Sequence, residues 1–136
     1  MQNDNSTTTY DIIIIGAGPA GCAAAMVLKN SGLRVAIIDK HNFPRDKVCG
    51  DAIPGRAIKW LNEIDTSFKN ELSAFDKKVI TKKTICYYNN KEVEFSWAQE
   101  AYTSTRMDFD NFLFSIMERS KFECILIRFS TTVAKK

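Results

Sequence analysis

Three glycines near the start of the chain have a spacing that suits the binding of a diphosphate. They are Gly16, Gly18 and Gly21, in the order G-x-G-x-x-G, and they directly follow the isoleucine run 12–15. Gly16 would allow a sharp turn out of a strand, Gly18 has no Cβ to keep a pyrophosphate away, and Gly21 would let a helix pack close to the sheet. The spacing therefore predicts that a dinucleotide binds here.

The residues around these glycines predict a strand, a helix and a second strand. The isoleucine run is typical of a strand buried on both faces of a parallel sheet. Pro19 suits the first turn of a helix, because its missing N–H costs nothing there, and the positive end of that helix would face the phosphates. Gly32 is predicted to cap this helix in a left-handed conformation. The second strand, 34–38, ends at Asp39, where a carboxylate can accept hydrogen bonds from both ribose hydroxyls.

Two other interpretations of this stretch are weaker. A strand–helix–strand unit without a ligand would leave Gly18 unexplained. The apolar residues 12–28 are also compatible with a signal or membrane segment. However, glycines and a proline interrupt that run at the positions of the dinucleotide motif, and the tail before it contains Asp4 and Asp11 but neither Lys nor Arg.

Composition and charge exclude several other classes of protein. The chain has 136 residues, of which 45% are hydrophobic, which is enough for one core. A net charge of +3, without a basic stripe, gives no reason to expect nucleic acid binding. No metal site is expected, because His41 is the only histidine and the cysteines form no C-x-x-C pair. Since no secretory signal is recognised, we expect reduced thiols and a cytoplasmic location.

The middle of the chain predicts a loop, two helices and a β-hairpin. Pro44 and Gly50 favour a loop, and a helix is predicted to begin at Pro54, with an irregular segment from Ala52 to Arg56 as the alternative. A second helix is indicated by apolar residues at helical spacing, Phe68, Leu72 and Phe75. Residues 80–96 alternate as in two strands around a turn at Asn89. Every second residue of its second strand is apolar, and these residues share one face of the sheet: Val93, Phe95 and Trp97. They would line an apolar pocket or join the core, and we expect the core.

The end of the chain predicts one more helix and one more strand. Asp108 is the expected N-cap of the helix. Its buried stripe is predicted to consist of Phe109, Phe112, Leu113, Ile116 and Met117. The strand is predicted over 123–129. The basic pairs 77–78 and 82–83 are expected on a solvated face, with contact to an anionic membrane surface as the alternative.

Two segments resemble a known family of flavoproteins. FPRDKVCGDA, at 43–52, is similar to a loop of geranylgeranyl-reductase-type flavoproteins, and we call it the cysteine loop. TRMDFDNFL, at 105–113, resembles the later arginine–helix motif of that group. The wider group is the aromatic-hydroxylase-fold flavoproteins, which includes flavin monooxygenases and flavin halogenases. The similarity covers nearly all of 10–117.

The resemblance implies an α/β chain with a Rossmann-like FAD/NAD(P)-binding domain and the start of a substrate domain. It predicts a flexible tail over 1–9 and an FAD-binding domain, which includes the cysteine loop, over 10–79. A β-hairpin of a partial substrate domain would follow over 80–98, and a return helix and strand over 99–136. The family also has later Asp-Gly and Gly-Asp segments that this sequence does not contain, so we expect a fragment or a truncated product.

The resemblance also implies which residues hold FAD. Asp39 would bind the adenosine ribose, with Lys40 near the adenine. Arg45 and Arg106 match arginines that contact FAD, and a planar guanidinium pairs well with a phosphate. The cysteine loop would approach the flavin ring and the substrate. The residues expected to bind FAD are Gly16, Gly18, Pro19, Ala20, Gly21, Asp39, Lys40, Arg45, Lys47, Gly50 and Arg106.

Two positions within the segments that resemble the family, Cys49 and Arg106, have simpler alternatives. Cys49 is the candidate catalytic residue, as an acid or a substrate contact, and Lys47 would lower the pKa of its thiol. The alternative is that Cys49 is a small buried filler. The alternative for Arg106 is a surface cation at the start of a helix.

For the whole enzyme, the resemblance implies transfer of hydride from NAD(P)H to FAD and then to a C=C bond of an apolar isoprenoid substrate. A flavin monooxygenase or halogenase of the same fold is the second hypothesis. A non-catalytic fragment that binds an adenine nucleotide is the third. An NAD-dependent dehydrogenase is a weaker rival, because it does not account for the cysteine loop or Arg106.

Overall fold

A computed structural model describes residues 8–119 and 123–125. Helices alternate with parallel strands at the start of the chain, whereas an antiparallel hairpin occupies its middle. The strands are β1 (Ile12–Ile15), β2 (Val35–Ile38), β3 (Ala52–Ile53), β4 (Val79–Tyr88), β5 (Lys91–Thr103) and β6 (Glu123–Ile125). The helices are α1 (Pro19–Leu28), α2 (Gly55–Ile64), α3 (Thr66–Ala74) and α4 (Arg106–Arg119).

The described residues divide into two compact units. The first contains 8–42, 113–119 and 123–125, and the second contains 43–112. The predicted boundaries of the FAD-binding and substrate domains stay a prediction, because the two units describe compactness and not function. Within the described part of the chain, every helix is too short or too polar to cross a lipid bilayer.

The first unit contains a parallel sheet with the strand order β1–β2–β6. Ile12 lies opposite Val35, and Ala36 lies opposite Glu123. The predicted parallel α/β arrangement is therefore confirmed, although 126–129 of the predicted last strand lie outside the described residues. The central strand β2 is buried. In contrast, Ile13 and Ile15 of β1 are 54% and 86% exposed, so the prediction that β1 is buried on both faces is wrong.

Helix α1 begins at Pro19, as predicted, and ends earlier than Gly32. Its C-cap is Lys29, which keeps a right-handed helical conformation. Gly32 does adopt a left-handed φ of +76°, but it does so in the turn that leads from the helix to β2. The prediction that Gly32 caps the helix is therefore wrong, while the predicted left-handed conformation is confirmed.

The second unit is built from α2, α3 and the hairpin. Pro54 is the N-cap of α2, and the Asp65 carboxylate caps α3 by accepting a hydrogen bond from the backbone N–H of Ser67. Phe68 of α3 and Phe75, the C-cap of this helix, pack around Phe112 of α4, with ring centroids 5.8 and 4.5 Å from the Phe112 ring. The two predicted helices are confirmed.

The hairpin turns through Asn89 and Asn90, whose φ angles of +46° and +59° suit a tight two-residue turn. Strands β4 and β5 are antiparallel, and the short strand β3, which the sequence pattern did not predict, pairs with the other side of β5. Val93, Phe95 and Trp97 are 50%, 57% and 50% exposed. The prediction that these three residues join the core is therefore wrong.

Helix α4 starts three residues earlier than predicted. The Thr105 hydroxyl accepts a hydrogen bond from the backbone N–H of Asp108 (3.2 Å) and donates one to its carboxylate (2.7 Å). This reciprocal pair makes Thr105 the N-cap and places Asp108 inside the first turn, so the predicted cap is corrected. Most of the predicted stripe is buried, namely Phe109, Leu113, Ile116 and Met117.

Candidate functional site

The turn between β1 and α1 requires glycine at two positions. Gly16 has a φ of +103°, which residues with a side chain rarely adopt, and its N–H donates to the Ile38 carbonyl (2.6 Å). A Cβ on Gly21 would lie only 1.8 Å from the carbonyl oxygen of Gly16. Since the obstacle is backbone, a side chain at Gly21 would push the helix away from the turn. These two glycines therefore set the close approach of α1 to the end of β1.

The start of α1 is suited to an anion. Gly18 is the N-cap and has no side chain with which to cap the helix, and the first turn, 19–22, contains no acidic residue. The N–H groups of this turn, including that of the exposed Ala20, therefore favour an acceptor from outside the helix. A diphosphate fits this position by charge and by hydrogen bonding. The binding roles of Gly18, Pro19 and Ala20 stay predictions.

Asp39 is tied to the same turn. Its carboxylate is buried, and its Oδ2 accepts from the backbone N–H of Ala17 at 2.8 Å. Its Oδ1 accepts from the N–H of His41 at 2.9 Å. The side chain therefore fixes the loop after β2 to the glycine turn, a role that the sequence did not reveal. Each carboxylate oxygen can accept a second hydrogen bond, so a role in binding ribose remains compatible with these contacts. Lys40 beside it is exposed.

A second group of predicted residues meets in the second unit around Asp110. This carboxylate is fully buried. Arg106 binds it through a two-pronged contact, Nε to Oδ1 at 2.7 Å and Nη2 to Oδ2 at 2.8 Å. Arg45 Nη1 lies 3.4 Å from Oδ2. The side chains of Arg45 and Arg106 are only 12% and 18% exposed, so Arg106 is not a surface cation.

Cys49 is exposed and lies near this group, so the alternative of a buried filler is wrong. The backbone N–H of Asp51 lowers the pKa of the thiol by hydrogen bonding to it, and a hydrogen bond from the Arg106 guanidinium lowers that pKa further. Lys47, which was expected to have this effect, is not among the causes of the lowered pKa. The effect between Arg106 and Cys49 is mutual. The pKa of Arg106 is raised, most of all by its hydrogen bonds with Asp110 and further by Cys49.

An open cleft of about 450 Å³ lies over Cys49. The cysteine loop and the first turn of α4 form its walls, and Lys47 lies on its edge with Cys49 and Arg106. Gly50 is exposed, and a Cβ there would meet no atom within 4 Å. The cleft is also lined by the carboxylates of Asp46, Asp51 and Asp108, and its thiol can react with an electrophilic group. Among the described residues, no group of three or more His, Cys, Asp or Glu could hold a metal ion.

The structure thus gathers the predicted site residues into two sets, one in each compact unit. The turn with Gly16 and the side chain of Asp39 belong to the first unit, and the cleft with Cys49 and Arg106 belongs to the second. Sequence reasoning missed Asp110, which follows Arg106 by four residues in the arginine–helix motif. An acid four residues after an arginine on a helix is a signal that could have found it.

The basic pairs of the second unit are partly neutralised. Lys77 Nζ donates to the Asp108 carboxylate at 2.7 Å, and Lys83 Nζ donates to Glu94 at 2.8 Å. These contacts are typical of a solvated face. Contact with a membrane surface stays a prediction.

Comparisons with known proteins identify the family. The family model described as pyridine nucleotide-disulphide oxidoreductase matches residues 10–115. The chain belongs to this family. A solved flavoprotein/dehydrogenase from Cytophaga hutchinsonii has a TM-score of 0.73 and 26% identity, over 86% of this chain and 30% of that one. The fold is thus the Rossmann-like α/β fold of FAD-dependent oxidoreductases.

Several curated relatives match shorter stretches of the chain. Menaquinone reductase from Mycobacterium tuberculosis is 46% identical over 64 residues, which is 47% of this chain and 15% of that protein. Geranylgeranyl diphosphate reductase from Rhodobacter capsulatus is 46% identical over 50 residues, 37% of this chain and 12% of that protein. A pyrrole-carbonyl carrier-protein brominase from Pseudoalteromonas luteoviolacea is 29% identical over 105 residues, 77% of this chain and 25% of that protein. The chain therefore spans between 12% and 25% of the length of these relatives.

Proposed function

We propose that this chain is the FAD-binding part of an oxidoreductase that reduces C=C bonds of an isoprenoid substrate, with NAD(P)H as the reductant. The observation that carries the FAD proposal is the turn at Gly16 and Gly21, which brings an uncapped helix start against the end of β1. The resemblance of the cysteine loop to geranylgeranyl reductases supports the choice of substrate. The identity to the Rhodobacter capsulatus enzyme supports it as well.

FAD, when bound, would supply the hydride chemistry, and the residues of this chain would bind and orient it. The N–H groups at the start of α1, near Ala20 and Gly21, would hold the pyrophosphate. Asp39 would accept from the ribose while it keeps the glycine turn in place, and Lys40 would lie near the adenine. In the second unit, Arg45 and Arg106 would offer positive charge.

Residues of the cysteine loop would face the flavin and the substrate. Lys47 and Gly50 would contact the cofactor, and the absence of a Cβ at Gly50 would leave room for a flat ring. Cys49 would act on the substrate as a proton donor or as a contact. The roles of Lys47 and Cys49 rest on the family resemblance and on their exposure beside one cleft. The role of Gly50 rests on the resemblance and on its exposure.

Titration of the purified chain with FAD and with ADP tests the cofactor proposal. We expect FAD to bind more tightly than ADP, and bound oxidised flavin to give its visible absorption bands. Gly18→Val should abolish binding of both, because its side chain would occupy the path of the pyrophosphate. Val27→Ala is a matched control, because Val27 is an exposed residue of the same helix. Equal weak affinity for FAD and ADP would favour a fragment that recognises only the adenine nucleotide.

A flavin halogenase or monooxygenase is the second candidate, and the identity to the brominase over 105 residues favours it. Oxygen consumption by reduced flavin in an intact homologue with the loop FPRDKVCGDA separates the two. Slow consumption, together with NAD(P)H-dependent saturation of an isoprenoid, is expected for the reductase. Rapid consumption that a substrate accelerates would contradict the reductase proposal.

A further inference from the structure

The contacts of Asp110 give this buried carboxylate a role beyond balancing charge. It accepts both prongs of the Arg106 guanidinium, at 2.7 and 2.8 Å, which fixes the plane of that group as well as its position. Arg45 Nη1 lies 3.4 Å from Oδ2, the oxygen that also accepts from Arg106 Nη2. Because Asp110 is fully buried, water cannot compete for these hydrogen bonds.

The charges of this cluster leave one positive charge over. Arg45 and Arg106 carry two positive charges, and Asp110 carries one negative charge. Cys49 and Arg106 line the same cleft, and the Arg106 guanidinium lowers the pKa of the Cys49 thiol, so a thiolate at Cys49 would balance the remaining charge. The thiol is exposed in the cleft, whereas its positive partner is held from the buried side.

Arg106 connects Asp110 with the cleft that Cys49 lines. The groups that lower the pKa of Cys49 are the backbone N–H of Asp51, then the Arg106 side chain, then the backbone N–H of Gly50. Asp110 is not among them, although its hydrogen bonds hold Arg106 in place. The contact of Asp110 with the cleft is therefore through the position of Arg106.

We infer that Asp110 is a positioning residue, which holds the Arg106 guanidinium in the cleft that Cys49 also lines and so keeps a positive charge at this thiol. The inference needs only side chains of the second unit. It can fail while FAD still binds, and it can hold if FAD does not bind. It concerns the residue that the proposed function places beside the substrate.

The reactivity of each cysteine toward iodoacetamide, followed against pH without cofactor, tests this inference. Digestion and mass spectrometry separate Cys49 from Cys86, which is also exposed and serves as an internal reference. The midpoint of the pH–rate profile of Cys49 is the quantity of interest. Other charged groups that face the cleft come from both of its walls: Asp46, Lys47 and Asp51 on the loop and Asp108 on α4.

Two variants remove the positioning contact in different ways. Asp110→Asn leaves both arginines charged, and Arg106→Lys keeps the charge but loses the fork. We expect the Cys49 midpoint to move to higher pH in both, with an alkylation rate near neutral pH that is about threefold lower. Asp108→Asn is the matched control on the same helix. It should leave the midpoint unchanged or move it to lower pH, since it only removes a nearby negative charge.

The opposite sign would overturn the inference. If net charge alone governed the thiol, Asp110→Asn would move the midpoint to lower pH and Arg106→Lys would leave it unchanged. Circular dichroism shows whether each variant is folded. If Asp110→Asn does not fold, Arg106→Lys decides alone: a raised midpoint supports the positioning role and an unchanged midpoint refutes it.

Discussion

The first unit contains the glycine turn, 16–21. The second unit contains a cluster of charged and thiol side chains, formed by Arg45, Cys49, Arg106 and Asp110. These two sites are built on opposite principles. The turn works because side chains are missing, since a Cβ on Gly21 would lie only 1.8 Å from the carbonyl oxygen of Gly16. The cluster works because side chains are present, and Asp110 holds the charged groups of Arg45 and Arg106 in a buried position. Backbone sterics should therefore govern the first site, and electrostatics the second.

Removing the Asp110 carboxylate from the cluster should have the largest effect on the free energy of unfolding. Asp110→Ala would remove the carboxylate that two largely buried guanidinium groups contact, and breaking such a buried pair costs about 3 to 5 kcal/mol of the free energy of unfolding. Urea denaturation followed by circular dichroism measures this loss. Asp65→Ala, which removes the N-cap of α3, should cost only about 1 kcal/mol. Equal losses in the two variants would show that the cluster is no more demanding than a surface cap.

The next effect concerns the turn. Gly21→Ala places a methyl group against the Gly16 carbonyl, and we expect a loss of about 2 to 3 kcal/mol, as in overpacked sites. Gly50→Ala makes the same chemical change where nothing lies within 4 Å, and its effect should stay within about 0.5 kcal/mol. Thermal unfolding of the two variants gives the comparison. A tolerated Gly21→Ala would mean that the turn can open without cost.

The same contrast explains how much the sequence revealed. The turn was predictable because its requirements lie in adjacent residues: a strand, glycines at fixed spacing and Pro19 at the start of a helix. Arg45 and Arg106 were named from the family resemblance, but Asp110 was missed. Its contact with Arg45 joins residues far apart in the sequence, and only the fold brings them together.

Exposure was the property that the sequence predicted least well. The isoleucines of β1 and the aromatic residues of β5 have patterns typical of buried strands. Nevertheless, Ile15 and Phe95 are 86% and 57% exposed in the described structure. A strand pattern shows which side chains share a face, but the elements that pack on that face decide whether it is covered. The N-cap of α4 was misplaced for a local reason, because Thr105 and Asp108 both suit a cap and only their mutual hydrogen bonds distinguish them.

The smallest expected effect tests electrostatics at the surface of the second unit. Hydrogen bonds from Lys77 and then from Thr105 lower the pKa of Asp108 below its ordinary value of 3.8. A carboxylate with a lowered pKa in the folded state stabilises the fold above its ordinary value, and this contribution is lost as the pH falls through the folded-state pKa. Asp108→Asn should therefore flatten the acid side of the plot of melting temperature against pH. The flattening should be small, because Lys77 is 61% exposed and water screens the pair.

Glu92→Gln, an exposed acid of the hairpin, is the matched control for this measurement and should leave the acid side unchanged. Raising the salt concentration should weaken the Lys77–Asp108 contribution, because exposed charges are screened. It should change the buried Arg106–Asp110 pair much less. If salt weakened both pairs equally, the cluster around Asp110 would have to be open to solvent, and the distinction between a sterically built turn and an electrostatically built cluster would lose its physical basis.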